Sequence, residues 1–399
     1  MNTTHRKSGA ISLAIVLLNL LSYAQQLTVI NQDYTLAKTE SVKQNKLLII
    51  DFYTTWCVPC KELDEAVFKD TTVSKQFAGQ FVVLRYDAEK DNVHRLTLKH
   101  HVSFYPTTVV LNPAQRVVNR LIGSSGTGEK MVPAYLDFLR KASANAAENK
   151  FIKGVSASTD LTYPRFYEDY VFRVNTKGVA AKVTDYWKSN SDYLSEVPFA
   201  ILCYFQGATD EVNKFFLENK KKYADLYGEL DVKFILTMMI TAKLSDAIDA
   251  KDRSAFNAAV RLAKEHLDTG ETKQYLLGME EQMLQQEGRW TEALKSFSSR
   301  KNAQQVSDYE TARLCRAASE KCSEISVLKP CAEWMKAIAG KTPEYDHLDT
   351  YARLLFKTGE KNKSYLIMKQ AIAAGKLAKE DVTGSEKWLN QFNSDQRNK

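Results

Sequence analysis

Cys57 and Cys60, in the segment Trp56-Cys57-Val58-Pro59-Cys60-Lys61, are the residues whose type and spacing best suit chemistry. A Cys-x-x-Cys pair can be a redox dithiol, half of a zinc site, or two packing thiols. Zinc wants a second pair of ligands at suitable spacing. The nearby histidines are His94, His100 and His101, and the sequence holds no second Cys-x-x-Cys, so no metal is expected. Packing alone is a poor account, because the pair falls where an apolar run gives way to a helical pattern. The first turn of that helix offers free N–H groups and a partial positive charge, which stabilise a thiolate at Cys57. The thiolate is the species that attacks a disulfide. Cys60, one turn on, lies inside the helix and suits the resolving role. Pro59 is tolerated in a first turn, where its missing N–H would be unpaired anyway.

The elements that position this pair follow from residue patterns. Leu47 to Tyr53 is a continuous apolar run of strand length, broken only by Asp51, as expected for a strand buried on both faces. Cys57 to Phe68 reads as a helix, with Leu63, Ala66 and Val67 on one face and Lys61, Glu62, Asp64 and Glu65 on the other. Phe81 to Tyr86 is a second buried strand, Asp91 to His101 is helical, and Thr107 to Leu111 is a third strand. Asn112-Pro113-Ala114-Gln115 is a turn by composition, followed by the hairpin partner Arg116 to Ile122. A helix from Glu129 to Arg140 closes the unit. Parallel strands first and a hairpin last predict a compact α/β domain with helices on both sheet faces.

The segment Asp51 to Lys61 resembles the active site of the thioredoxin superfamily. Phe104-Tyr105-Pro106-Thr107 resembles that family's cis-proline loop, and Asp87 closes the strand after which the family usually carries an acid. Cys60 to Asp70, then Val73, is similar to one branch, which includes the periplasmic C-terminal domain of the bacterial transmembrane thiol:disulfide interchange reductase. The resemblance covers residues 27 to 142. It implies a thioredoxin fold, with Cys57 as nucleophile and Cys60 as resolving thiol, joined in a redox-active disulfide when oxidised. It also implies that Asp51, six residues before Cys57, is a buried acid that takes the proton of Cys60, directly or through water. Burial would raise its pKa toward neutrality. Asp51 is expected to be an unpaired buried charge. Pro106 would be cis, Tyr105 would pair through its backbone with a docked substrate strand, and Trp56 would cover the site. Val58 stands where the commonest thioredoxin pattern has glycine. The two central residues tune the reduction potential, so the direction of electron flow stays open.

The remainder of the chain has a different character. His5, Arg6 and Lys7, the apolar stretch Ile11 to Leu21, and Ser22-Tyr23-Ala24 read as a secretory signal over residues 1–24, cleaved after Ala24. The mature protein is then expected to be periplasmic or secreted, where thiols can be oxidised. Residues 25–142 form the thioredoxin-like domain, and the small, polar stretch 143–161 is expected to be a linker. Residues 162–399 repeat apolar positions at three- and four-residue steps and are expected to be all-helical. Gly288, Trp290, Ala293 and Phe297 match a tetratricopeptide-type hairpin; Ala352, Leu355, Gly359, Ser364 and Ala371 give a second match, so helix-hairpin repeats are expected over 275–376. Cys322 and Cys331 flank an expected break at Pro330, which leaves a disulfide or two buried free thiols open.

Apolar residues make up 44% and charged residues 26%, an ordinary globular balance that excludes a disordered or fibrous chain. The net charge of +7 is interspersed with acids, and Lys220, Lys221 and Lys222 suit a solvated helix face, so no nucleic-acid partner is expected. The expected function is an exported thiol–disulfide oxidoreductase of the protein-disulfide reductase type. Its partners would be protein disulfide substrates, a membrane or periplasmic thiol electron donor, and a protein docked on the helical domain. No cofactor is expected, because the dithiol is itself the redox group. A second reading makes the chain a binding scaffold with little turnover, but a pure scaffold has no need of both thiols. A disulfide isomerase is a third reading, although no dimerisation segment is evident.

Overall fold

The computed structural model describes residues 27–397 apart from 125, 127, 207, 208 and 268. The expected signal segment lies outside the described residues. The chain forms two compact units, divided between Met239 and Ile240.

The first unit is built on five strands: β1 (Thr28–Asn31), β2 (Leu47–Tyr53), β3 (Phe81–Asp87), β4 (Thr107–Leu111) and β5 (Val117–Ile122), in the sheet order β1-β3-β2-β4-β5. β1, β3 and β2 run parallel, and β4 and β5 are antiparallel. Central strands β2 and β3 are buried on both faces, which explains their near-continuous apolar sequence. Alternation along each strand sends Ile49, Val83 and Val110 into one core with Leu63, Val67, Phe68 and Tyr135. On the other face Phe52 meets the rings of Tyr86 and His100. This is the predicted thioredoxin fold.

Three local features differ from the expectation. The helix after the cysteines is α-helical only over Val58–Leu63 and continues as a π-type turn, Asp64–Phe68. Between Asp91 and His101 only Leu96–Lys99 is helical: the Asp91 carboxylate accepts from the Tyr86 hydroxyl (2.5 Å) and the Thr97 N–H (2.6 Å), and Arg95 takes a left-handed backbone. The closing helix runs Met131–Ala147, so it extends into the stretch expected as linker.

That stretch does not separate the sheet from the helices beyond it. Ile152 N–H donates to Val117 O (2.8 Å) and Gly154 N–H to Leu226 O (2.7 Å). Gly154 must be glycine here, since a Cβ would come within 2.4 Å of the Tyr227 ring. Helices between Arg165 and Met239 then pack aromatics against one another, with Phe199 stacked on Tyr227 at 3.5 Å. Buried ions tie these helices to the α/β core. Lys99 pairs with Glu196 and donates to Ser156 Oγ (2.9 Å). Arg120 of β5 lies 2.5 Å from Asp231 and donates to His101 O (3.1 Å). The first unit therefore reaches well past residues 143–161.

The second unit is helical. Helix pairs Thr269–Gln286 with Trp290–Asn302, and Tyr345–Lys357 with Lys361–Ala378, turn at Gly288 and Gly359, whose positive φ values (78° and 94°) suit glycine. Ala293, Phe297, Ala352 and Ala371 are buried, as the hairpin pattern requires. The expected break at Pro330 is absent: Pro330 lies within the helix Ile325–Lys341, and the chain instead turns between Cys322 and Glu324. The buried face of Val327, Leu328, Cys331 and Met335 holds the helix together despite the lost N–H. Cys322 and Cys331 are both free and buried. Among the described residues no helix is long and apolar enough to cross a membrane.

Candidate active site

β2 ends at Tyr53 and delivers the chain through Thr54, Thr55 and Trp56 to Cys57, which caps the helix Val58–Leu63. Cys57 and Cys60 form a disulfide, and the Cys60 N–H donates to Cys57 Sγ (3.2 Å). Both are buried, at 4% and 2% exposure, so what distinguishes them is position: Cys57 at the cap, Cys60 within the first turn. The Cys57 sulfur already occupies the place where a developing thiolate would meet a backbone N–H.

Asp51 is fully buried in the middle of β2. The parallel register sets it beside Arg85 of β3, whose Nε is 2.9 Å from Asp51 Oδ2, as an ion pair rather than an aligned hydrogen bond. Arg85 pairs also with Asp64 on the π-type turn, and its guanidinium lies over the rings of Tyr53 (4.9 Å) and Phe68 (5.2 Å). Asp51 is thus not the unpaired charge expected from the sequence. Burial still outweighs Arg85, and the carboxyl is pushed up from 3.8 to about 6. Its Oδ1 has no hydrogen-bond partner. Cys60 and Arg85 line a common cleft of about 420 Å³ together with Thr54, Asp64 and Lys69.

The Tyr105–Pro106 peptide bond is cis, as the resemblance implied. Trp56 packs edge-on against Tyr105, with ring centroids 6.1 Å apart, and its Nε1–H donates to Glu89 (2.9 Å). The loop before Cys57 and the loop before Pro106 are thereby joined. Trp56 remains 54% exposed, so it forms an open rim over the site. Asp87 caps the turn after β3, accepting from the Glu89 N–H (3.1 Å), and pairs with Lys90.

Sequence reasoning missed Arg85, although a single cation inside Phe81-Val82-Val83-Leu84-Arg85-Tyr86 is a legible signal: a charge in a buried strand needs a partner. A further cluster is His101, Cys203 and Asp231, whose donor atoms lie within 4.8 Å of one another. Arg120 already compensates that carboxylate, and burial holds His101 down at about 4. The group acts as a buried ion-pair junction.

A dithiol at a strand-to-helix junction, a buried acid in the preceding strand and a cis-proline loop, carried on this sheet, define a thioredoxin-fold domain. The Thioredoxin-like family model matches residues 29–113. Thioredoxin-1 of Drosophila yakuba is 33% identical over 98 residues, which are 25% of this chain and 83% of that protein. Through this domain the chain belongs to the thioredoxin family. Thioredoxin-1 of Drosophila melanogaster is 35% identical over 75 residues, 19% of this chain and 65% of that protein. The thiol:disulfide interchange protein DsbD of Pasteurella multocida is 32% identical over 103 residues, 25% of this chain but only 17% of that protein. The chain thus spans under two thirds of the length of these last two relatives.

Proposed function

We propose that this protein is an exported thiol–disulfide oxidoreductase that reduces protein disulfides. The carrying observation is the Cys57–Cys60 disulfide at the cap of a helix, with a carboxyl poised near neutrality in the adjoining strand. In the reduced protein the Cys57 thiolate attacks one sulfur of a substrate disulfide. A mixed disulfide forms and the other substrate sulfur leaves as a thiolate. Cys60, deprotonated toward Asp51, then attacks Cys57 Sγ and releases the second substrate thiol. The two electrons end in the substrate, and the Cys57–Cys60 disulfide awaits an external dithiol donor. The likeness to a thioredoxin and to a thiol:disulfide interchange protein supports dithiol–disulfide exchange as the chemistry.

Export rests on the basic, apolar and small-residue pattern of residues 1–24, and fits a thiol donor in the periplasm or its membrane. The glycine-cornered hairpins within 275–376 support a tetratricopeptide-type region that holds a partner protein. The test is the reduction potential of the Cys57–Cys60 couple, measured in a thiol redox buffer alongside reduction of 2-hydroxyethyl disulfide. A value near about −270 mV supports a reductant, and one near about −120 mV makes the protein an oxidant.

A further inference from the structure

The helical part of the first unit brings one short segment against the rim of the dithiol site. The helix Arg165–Val171 ends there, and Arg173 takes a left-handed backbone (φ 56°), with its N–H donating to Tyr170 O (3.1 Å). This turn sets the Arg173 guanidinium over the Trp56 ring, 5.8 Å from its centroid. Trp56 in turn abuts Tyr105, so Arg173, Trp56 and Tyr105 form one wall.

Open clefts lie on both sides of that wall. The larger, about 660 Å³, follows the cis-proline loop and is lined by Phe104, Tyr105, Tyr170, Phe234 and Met238. The smaller, about 410 Å³, lies between Trp56, Glu89 and Val174. Tyr105, Val171 and Arg173 line both. Phe104 and Val174 stay 51% and 69% exposed, an apolar surface left uncovered beside a redox-active pair.

The charged side chains around the clefts are engaged by hydrogen bonds or an ion pair, with one exception. Glu89 accepts from Trp56, Asp91 from Tyr86 and Thr97, and Arg95 pairs with Glu168 at 2.7 Å. Arg173 makes no ion pair among the described residues, and it is the only charged residue among the described residues lining the larger cleft. An aromatic trough with one free cation at its edge fits an extended chain bearing an apolar side chain next to a carboxylate. A phosphate would want several converging cations, and among the described residues Arg173 is the one that lines this cleft.

We propose that this cleft is a subsite for an extended segment of the disulfide-bearing polypeptide, seating a large apolar side chain against the contacting rings of Phe104 and Phe234 (centroids 6.4 Å apart) beside Tyr170, and a carboxylate on Arg173. The inference rests on the proposed disulfide chemistry and deepens it. It makes Arg173 a specificity-determining residue supplied by the helical extension rather than by the α/β core.

The test uses the full chain and three synthetic peptides, each closed by one intramolecular disulfide and differing beside it: Glu-Phe, Lys-Phe or Glu-Ser. The unaltered protein should prefer Glu-Phe to Lys-Phe by about fivefold in kcat/KM at low ionic strength, and the preference should shrink in high salt. Arg173→Glu should reverse the Glu-Phe to Lys-Phe ratio, and Phe234→Ala should reduce the Glu-Phe to Glu-Ser ratio. Equal rates on all three peptides, or a preference that survives Arg173→Glu, overturns the subsite. Failure of the unaltered protein to reduce 2-hydroxyethyl disulfide, which carries neither charge nor ring, instead overturns the proposed function. In that event, binding of the same peptides with serine in place of cysteine, measured by titration, decides the subsite through the same ratios.

Discussion

Arg85 and Asp51 stand side by side on adjacent parallel strands, Nε 2.9 Å from Oδ2, and Arg85 pairs onward with Asp64 in the turn that continues the helix carrying the dithiol. The pair sets two opposing effects against each other. Burial disfavours the carboxylate, Arg85 favours it, and burial wins, leaving the carboxyl near 6. A fully compensated aspartate would be a poor proton acceptor for a thiol, and an isolated buried one would hold its proton at neutral pH. The intermediate value suits an acid that must accept and release a proton during turnover.

The pH dependence of stability has a definite sign. The folded pKa of Asp51 lies above its ordinary 3.8, so the folded state holds this proton more tightly. That contribution is fully present below about pH 4 and is lost as pH rises through about 6, a change of roughly 3 kcal/mol. Asp51→Asn should abolish this loss and, at pH 8, stabilise the fold by about 1–2 kcal/mol. The gain falls short of the full amount because Arg85 then keeps only Asp64 as its carboxylate. Denaturant melts from pH 4 to 8 check this; parallel curves for the two proteins would refute it.

Arg85→Leu should act in the opposite direction on the acid. Removing the guanidinium takes away the attraction that lowers the Asp51 pKa, so the carboxyl should titrate above 6. In stopped-flow measurements, the pH midpoint of the resolution step should move upward by about one unit. Resolution in Asp51→Asn should be slow and flat with pH, while the first attack by Cys57 changes little. An unshifted midpoint in Arg85→Leu would remove Asp51 from the proton path.

Cys57 should be alkylated first in the reduced protein, by at least about tenfold, because it caps the helix while Cys60 sits inside it. Cys57→Ser should abolish disulfide reduction, and Cys60→Ser should accumulate mixed disulfides that mass spectrometry detects. The small difference in exposure between the two sulfurs would not by itself give this order. Equal alkylation rates would remove the basis for this assignment of roles, and faster alkylation of Cys60 would reverse it.

The helical extension should prove integral to the first unit's stability. Asp231→Leu leaves Arg120 buried without its carboxylate and should cost about 3–5 kcal/mol. Adding Arg120→Met should recover much of that loss, since both charges are then gone. Calorimetric melts of the two single variants and the double variant form the cycle. An Asp231→Leu protein as stable as the original would mean that the helices only rest against the sheet.

Much of the site was legible from order along the chain. A thiol pair at a strand-to-helix junction is a local pattern whose geometry follows from the chain, whereas the buried acid's role and the cis bond at Pro106 came from the resemblance to the thioredoxin superfamily. The parallel strands and the closing hairpin were legible too, because they differ in residue pattern, but the order of strands in the sheet and the short edge strand β1 were not. The partners of buried charges were not. Arg85 meets Asp51 only through strand register, Arg120 meets Asp231 across 111 residues, and Arg173 reaches Trp56 only because a helix ends where it does. Each of these pairings depends on where two distant segments come to rest. Sequence determined which residues could do the chemistry; tertiary packing decided which charges they answer to, because electrostatic coupling depends on distance in space and not on separation along the chain.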